Sequence, residues 1–276
     1  MITPPPVQFS PQVRDELEAV RPGLADETQR SFAAAVKPCA AMTATRVSGS
    51  PLRRGFIGSL IGRKTASPTL GPLSSKFGGV PYSEGSDDWA EFGFIGQIDL
   101  AEATAVLPAA CRLRGLLRLD CRRRSPIMGA AAPQLVAARW FPDASMERAV
   151  TPMGVTSIGE WETKLNFRLA WSLPEARDAL QALWPVQNRE RIEDDSLLLA
   201  GFNDDGDAEY HRLLGHRSSG LDEWGPKDVQ YDSVLRLCHD HAAGFSWGTN
   251  WVYVIVPAQD LARGDLSRVS TVVGNW

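Results

Sequence analysis

Two short apolar stretches, FGFIGQIDL at residues 92–100 and RGLLRLDCR at residues 114–122, set the character of this chain. Further apolar runs of the same kind follow at residues 134–141, 166–173, 196–202, 233–240 and 251–258. Each run is bounded by Gly, Pro, Asp or Asn, and most gaps are too short to hold a helix, which favours antiparallel pairing. We therefore expect an α+β fold that is β-rich, with mainly antiparallel sheets and few helices.

Two parts of this strand-rich region are similar to each other. FGFIGQIDLAEA (92–103) followed by GLLRLDC (115–121) resembles DSVLRLCHDHA (232–242) followed by WVYVIVP (251–257). Each pair consists of a strand that ends in an Asp turn and then a second strand. The similarity predicts an internal pseudo-repeat of a β-unit.

Helical signals are concentrated near the N-terminus. Ser10-Pro11 begins a helical pattern over residues 10–37, and Pro22-Gly23 divides that pattern into two shorter helices. A further helix is predicted over residues 174–185, whereas residues 46–75 are rich in Gly, Ser, Pro and Arg and predict a loop. We therefore expect a helical N-terminal extension with its loop at residues 1–69 and a β-rich domain at residues 70–276.

The composition is that of an ordinary soluble globular protein, with 276 residues, 43% hydrophobic and 22% charged residues and a net charge of −4. No apolar run reaches the roughly 20 residues that span a bilayer, and no secretory signal is visible. The four cysteines, Cys39, Cys111, Cys121 and Cys238, are widely spaced, which is typical of reduced thiols. We therefore expect a cytoplasmic protein that does not bind membranes.

Acidic residues are concentrated in one stretch, since residues 193–241 hold twelve Asp and Glu against four Lys and Arg. An acidic face repels nucleic acid and attracts a cationic partner, although such a face also serves simply to keep a protein soluble. The candidate partner-binding residues are Glu193, Asp194, Asp195, Asp204, Asp205, Asp207, Glu209 and Trp224. We expect a protein partner, with a basic surface, and no nucleic acid.

The densest group of potential ligands is Cys238-His239-Asp240-His241. On a strand His239 and His241 share a face, and a metal would need a third ligand such as His211 or His216. The alternative interpretation is a strand end that runs into a polar turn. GSLIGRKTAS (58–67) lacks the spacing of a phosphate-binding loop, and neither a GxSxG elbow nor a dinucleotide fingerprint is present. No catalytic residue, metal site or cofactor is therefore assigned.

Several segments together resemble the YwqG-like family of bacterial proteins of unknown function. They are SKFGGVPY (75–82), FGFIGQIDLAE (92–102), GLLRLDC (115–121), HRLLGH (211–216) and VLRLCHDHAAGFSWGTNWVYVIVPAQDLARGDLSRV (234–269). The resemblance covers about residues 70–276 and implies a β-rich α+β fold with an internal repeat. It implies no catalytic residues, and the chain departs from the usual WGD at Trp247-Gly248-Thr249.

Two functional hypotheses follow. The first is a non-enzymatic cytoplasmic binding protein, an immunity protein that neutralises a cognate antibacterial toxin, as the resemblance to neighbours of polymorphic toxin genes implies. The acidic stretch at residues 193–241 suits a basic toxin surface. The second is a metal-assisted hydrolase or small-ligand-binding protein that uses the His, Cys and Asp residues of 211–241. The scarcity of histidine and the lack of a recognisable nucleophile favour the first.

Overall fold

A computed structural model describes most of the strand-bearing part of the chain. The described residues are 4, 8–9, 11–47, 70–85, 87, 89, 91–122, 136–158, 161–172, 199–200, 211–216, 229–238, 240, 242–244 and 250–275. The predicted helix at 174–185 lies outside them.

The helices within the described ranges are short. They are α1 (Pro11–Val20), α2 (Leu24–Ala35), α3 (Leu100–Thr104) and α4 (Ala258–Leu261), with a 3₁₀ turn at Ala109–Cys111. Gly23 has a φ of 80° between α1 and α2, a left-handed conformation that glycine adopts at little cost. The predicted division of the first helical pattern at Pro22-Gly23 is therefore confirmed.

Twelve strands are described, and seven of them overlap the seven apolar runs of the sequence. They are β1 (Gln8–Phe9), β2 (Lys37–Arg46), β3 (Lys76–Phe77), β4 (Phe92–Asp99), β5 (Leu116–Arg122), β6 (Val136–Phe141), β7 (Thr163–Ser172), β8 (Leu199–Ala200), β9 (His211–Leu213), β10 (Tyr231–Leu237), β11 (Asn250–Pro257) and β12 (Ser270–Asn275). The predicted β-rich class with few helices is confirmed for this part of the chain.

Ten strands form one antiparallel sheet in the order β12-β11-β10-β9-β2-β7-β3-β4-β5-β6, and β1 pairs with β8 in a small second sheet. The large sheet curls until its two edge strands meet. There the Thr271 hydroxyl of β12 donates a hydrogen bond to the Val136 carbonyl oxygen of β6. The sheet is thus nearly closed, which leaves little free edge.

The main apolar core draws on strands from both ends of this order. On β5, Leu117, Leu119 and Cys121 belong to that core, whereas the alternating residues Arg118 and Asp120 belong to the opposite face of the sheet. The apolar contacts of the main core therefore hold the two ends of the sheet together. The opposite face carries buried polar residues on β5 and a smaller apolar cluster of Tyr253, Ile255 and Val272.

The strand β2 lies at the centre of the sheet although it belongs to the segment 1–69, for which the sequence predicts only helices and a loop. It pairs with β7 over ten residues, from Lys37↔Ser172 to Arg46↔Thr163. The prediction of a purely helical N-terminal segment is therefore not confirmed. Ala40 and Ala41 are small enough to be fully buried on the two faces of β2, and their high helix propensity conceals the strand in the sequence.

The same local features occur on both sides of the central pair β2–β7. A bulge interrupts β4 between Phe94 and Gly96, and a bulge interrupts β10 between Ser233 and Leu235. Each bulged strand also receives a hydrogen bond from a left-handed turn.

The first of these turns is Gly78-Gly79, with φ values of 67° and 79°, and the second is Leu214-Gly215, with φ values of 61° and 97°. The Gly78 amide donates to the Ile95 carbonyl oxygen and the Leu214 amide to the Val234 carbonyl oxygen, both at 2.9 Å. Left-handed backbone is costly for leucine, so the second turn holds Leu214 in a strained conformation.

Candidate functional site

The predicted partner-binding residues lie outside the described part of the chain. This holds for Glu193, Asp194, Asp195, Asp204, Asp205, Asp207, Glu209 and Trp224, and also for His239 and His241. Of the predicted ligand cluster, Cys238, Asp240, His211 and His216 are described.

His211 is brought together with Asp240, as the ligand-cluster hypothesis requires, but both of its ring nitrogens are engaged. The Cys238 amide donates to Nδ1 at 3.1 Å, so the proton is on Nε2, which donates to Asp240 Oδ2 at 2.9 Å. The imidazole is 2% exposed and packs edge-on against Phe77. A ring in this arrangement would have to give up a hydrogen bond before it could bind a metal.

The carboxylate of Asp240 is held in its ionised form. Burial alone would raise its pKa, but the hydrogen bonds from His211 and from the Ala243 amide hold the pKa below its usual range. Within the described residues no group of three or more His, Cys, Asp or Glu side chains could hold a metal ion.

Ser75, next to the Gly78-Gly79 turn, contacts a backbone amide and a carboxylate, as His211 does. Its hydroxyl accepts a hydrogen bond from the Asp99 amide at 3.0 Å and donates one to Glu102 Oε2 at 2.6 Å. Ser75 lies three residues before the Gly78-Gly79 turn and links the end of β4 to the Glu102 carboxylate. His211 lies three residues before the Leu214-Gly215 turn and links the end of β10 to the Asp240 carboxylate. This parallel favours a structural role for the His211–Asp240 pair.

His216 lies on the other side of the Leu214-Gly215 turn and has different partners. Its Nε2 is 2.6 Å from the carbonyl oxygen of Ala35 and donates to it. Burial lowers the pKa of His216 to about 4, and the positive charges of Lys37 and Arg212 act in the same direction. The imidazole is therefore neutral at pH 7.

We expect the contribution of His216 to stability to depend on pH. Because its pKa is lower in the folded chain than the ordinary value of 6.5, the unfolded chain takes up the proton first as the pH falls. The stabilisation that neutral His216 contributes above pH 6.5 is thus lost as the pH falls toward 4. Urea denaturation at pH 7.5 and pH 5 should show that His216→Gln costs less stability at pH 5 than at pH 7.5. An equal cost at both pH values would contradict this.

A buried charge cluster lies on the outer face of β5. The Arg118 side chain is fully buried and donates to Asp87 Oδ2 at 2.9 Å, to Asp87 Oδ1 at 2.6 Å and to Asp120 Oδ2 at 3.0 Å. It also donates to the carbonyl oxygen of Tyr82 at 2.7 Å. Trp89 covers the guanidinium group, with its ring centre 4.8 Å away. Arg118 thus fixes the segment around residues 82–89 on the sheet.

The two carboxylates of this cluster are held differently. Burial raises the pKa of Asp120 to about 6 in spite of the positive charges of Arg118 and Arg139. Burial would also raise the pKa of Asp87, but hydrogen bonds from Arg118 and Ser83 hold it below its usual range. Asp120 Oδ1 has no hydrogen-bond partner among the described atoms, so Asp120 is the less well solvated partner.

An exposed apolar loop, residues 143–153, lies against the segment that Arg118 fixes. Its Met146, Val150 and Met153 side chains are 57%, 50% and 89% exposed. The loop is anchored at two points, because the Val150 amide donates to the Ser83 carbonyl oxygen at 2.8 Å and the Ser145 amide donates to the Tyr82 hydroxyl at 3.3 Å. An apolar surface that is held in place in this way is typical of a protein-binding site.

Carboxylates flank this apolar loop. Asp143 is 82% exposed and Glu84 28% exposed at their side chains, and Arg148 lies between them at 3.9 Å and 3.3 Å. The Glu147 carboxylate adds a further negative charge, so acidic groups outnumber Arg148 around the loop. The sequence analysis did not identify this surface. Two Met residues within a Pro- and Gly-containing segment were its only signal.

A cavity of about 460 Å³ lies at one end of the sheet. It is bounded by the start of β2 at Lys37, the Leu214-Gly215 turn, the start of β10 at Asp232 and Ser233, and residues 258–264. Residues 110–113 complete the wall. The cavity includes part of the 211–241 region that the small-ligand hypothesis uses, but it does not include His211 or Asp240.

Comparison with known proteins gives no assignment: neither the protein-family models nor the curated proteins contain a match to this chain. In the described residues, no helix is both long and apolar enough to cross a membrane.

Proposed function

We propose that this chain is a non-enzymatic binding protein, and most specifically an immunity protein that binds and neutralises a toxin with a basic surface. The observation that carries the proposal is the anchored apolar loop with Met153 at 89% exposure. Exposed methionines on a fixed backbone offer adaptable apolar contacts at little entropic cost, and the flanking carboxylates suit a basic partner.

The acidic stretch at residues 193–241 supports the same partner chemistry through its charge. The resemblance to the YwqG-like family and a cytoplasmic location belong to this proposal as well. A metal-assisted hydrolase is less well supported, because both ring nitrogens of His211 are already hydrogen-bonded and Nε2 of His216 donates to the Ala35 carbonyl oxygen.

The proposal includes an internal duplication of the β-unit. One copy would consist of β2, β3, β4, β5 and β6, and the other of β7, β9, β10, β11 and β12. The first strand of each copy pairs with the second strand of the other copy, since β2 pairs with β9 and β7 pairs with β3. The matching bulges at Phe94 and Ser233 support it, as do the matching turns at Gly78 and Leu214. Duplication explains why a leucine occupies a left-handed position that its counterpart fills with glycine.

The apolar loop gives the test of partner binding. We expect the double substitution Met146→Asp and Met153→Asp to weaken the complex about 30-fold or more, because central apolar contacts contribute most of the affinity in protein interfaces. The measurement is isothermal titration of the full chain with the basic toxin domain encoded beside its gene, together with size-exclusion chromatography of the mixture.

The matched control is Val20→Asp, since Val20 is also an exposed aliphatic residue, at 41%, but lies outside both the loop and the acidic stretch. It should bind the toxin as the parent chain does, and both variants should keep the parent far-UV spectrum. Failure of the parent chain to bind the toxin or protect cells that express it would refute the immunity function. Equal binding by the double variant would remove the loop from the interface.

A further inference from the structure

The backbone of Phe94 provides an internal example of strand addition. Its amide donates to the Thr156 carbonyl oxygen at 2.8 Å, and its carbonyl oxygen accepts from the Ile158 amide at 2.8 Å. Phe94 and Ser157 thereby form an isolated parallel bridge. An extended segment from elsewhere in the chain thus occupies the side of Phe94 that faces away from β5.

Ser233 has the same position on β10. It precedes the bulge and pairs with Ile255 of β11, as Phe94 precedes the bulge of β4 and pairs with Asp120 of β5. Because the register is the same, the Ser233 amide and carbonyl also face away from the neighbouring strand. Ser233 is one of the residues that line the cavity of about 460 Å³.

No described strand reaches Ser233 on its cavity side. The nearest strand there, β9, pairs with β10 only at Leu235 and Arg236. The flanking carbonyl oxygens are already used, since Val234 accepts from the Leu214 amide and Gln230 accepts from the Ala258 amide. The Ser233 amide and the Ser233 carbonyl oxygen are therefore left for an occupant of the cavity. They correspond to the Phe94 amide and carbonyl oxygen that bind Thr156 and Ile158.

The charges at the cavity wall define the occupant. Lys37, Arg112 and Arg263 lie around it, against the single carboxylate of Asp232. Arg263 and Arg268 both pair with Asp260, so this group of three keeps a positive charge. The wall is thus positive overall and favours acidic side chains.

The site at Ser233 also differs from the site at Phe94 in the residue that precedes it, and this difference excludes an apolar side chain such as Ile158. That side chain covers Gly93, where an ideal Cβ atom would lie 2.6 Å from Ile158 Cδ1. The residue at the same register on β10 is Asp232, which pairs with Val256 as Gly93 pairs with Cys121. A carboxylate in this place requires a polar neighbour.

We propose that this cavity binds an extended acidic peptide segment of a partner protein, which adds to β10 by a two-hydrogen-bond bridge to the backbone of Ser233. Such strand addition obtains its affinity from main-chain hydrogen bonds and its specificity from the surrounding side chains. The site is separate from the apolar loop and does not depend on the toxin-binding function.

The test uses the full chain and the peptide acetyl-Gly-Thr-Ser-Gln-Glu-Glu-amide. It keeps the Thr156-Ser157 pair, places an uncharged polar residue at the Ile158 position next to Asp232, and carries its two carboxylates on the residues that follow. Cys111 serves as a reporter because it lines the cavity and is partly exposed, whereas Cys39, Cys121 and Cys238 are buried. We expect saturable binding by titration calorimetry and at least about fivefold slower reaction of Cys111 with a disulfide reagent.

A matched peptide carries an N-methyl group on its glutamine, the residue whose amide would donate to the Ser233 carbonyl oxygen. It should bind at least about tenfold more weakly, because it loses that bridge hydrogen bond. Arg112→Glu should weaken binding of the parent peptide about fivefold or more. Arg114→Glu, which changes an exposed arginine outside the cavity wall, should not.

Equal binding of the N-methylated peptide would overturn strand addition and leave only an anion site. Saturation without protection of Cys111, or no binding at millimolar peptide, would overturn the assignment of the cavity. The Met146→Asp and Met153→Asp double variant should bind the peptide as the parent chain does, so failure here and failure of toxin binding are distinguishable.

Discussion

Replacement of Arg118 by methionine is expected to lower the free energy of unfolding by about 3–5 kcal/mol, because it removes the buried counter-charge of Asp120 and leaves Asp87 paired only with the partly exposed Arg139. Arg118 and Asp120 are 0% and 1% exposed, and Asp87 is 5% exposed at its side chain. Methionine fills a similar volume but donates no hydrogen bonds. The measurement is urea denaturation at pH 7, followed by far-UV circular dichroism.

Arg139 provides the matched control, since it also pairs with Asp87, at 2.7 Å, but is 36% exposed. Arg139→Met should cost no more than about 1 kcal/mol, as is usual for exposed ion pairs. A double variant, Arg118→Met with Asp120→Asn, should recover part of the lost stability, because it removes one of the stranded charges. A cost for Arg118→Met no larger than that for Arg139→Met would show that the cluster does not stabilise the fold.

The second large effect is expected for Gly115→Ala, at about 3 kcal/mol. Gly115 has a φ of 84°, which costs an alanine about 1–2 kcal/mol. An ideal Cβ atom there would also lie 2.5 Å from the carbonyl oxygen of Phe141 and 2.8 Å from Pro142 Cα. Because both neighbours are backbone atoms, the overlap can be relieved only by moving β5 and β6 apart.

Gly154→Ala separates these two causes. Gly154 has a φ of 74°, but an ideal Cβ atom at this residue meets no atom within 4 Å. Its cost should be about 1 kcal/mol, from backbone conformation alone. The two variants are compared by the midpoint of urea denaturation at constant slope. Equal costs for the two substitutions would contradict the steric part of the argument.

The strands were predicted well where the apolar runs are rich in β-branched and large aliphatic residues. FGFIGQIDL and WVYVIVPA correspond to β4 and β11 nearly residue for residue. β2 was missed because Ala40 and Ala41 favour helices locally and are compatible with a strand only between close neighbours. β3 and β9 have two and three residues and are too short to give a periodic pattern.

The candidate sites were less predictable than the strands. The proximity of His211 and Asp240 agrees with the expected cluster, but the sequence could not indicate that the Cys238 amide occupies the second ring nitrogen. The burial of Arg118 was equally inaccessible, since a lone arginine in a strand is normally solvated. The cavity depends on segments from five separate parts of the chain.

The sequence by itself determined the β-rich class, the positions of most strands and the break between α1 and α2, because these follow from local side-chain periodicity and backbone preference. Only the tertiary structure decided that β2 and β7 form the centre, that Arg118 is buried, and that Ser233 faces a cavity. These features arise where residues far apart in the sequence come into contact, such as Asp87 with Arg118 and Lys37 with Ser172. Their energies depend on pairing register and desolvation, which no local pattern encodes.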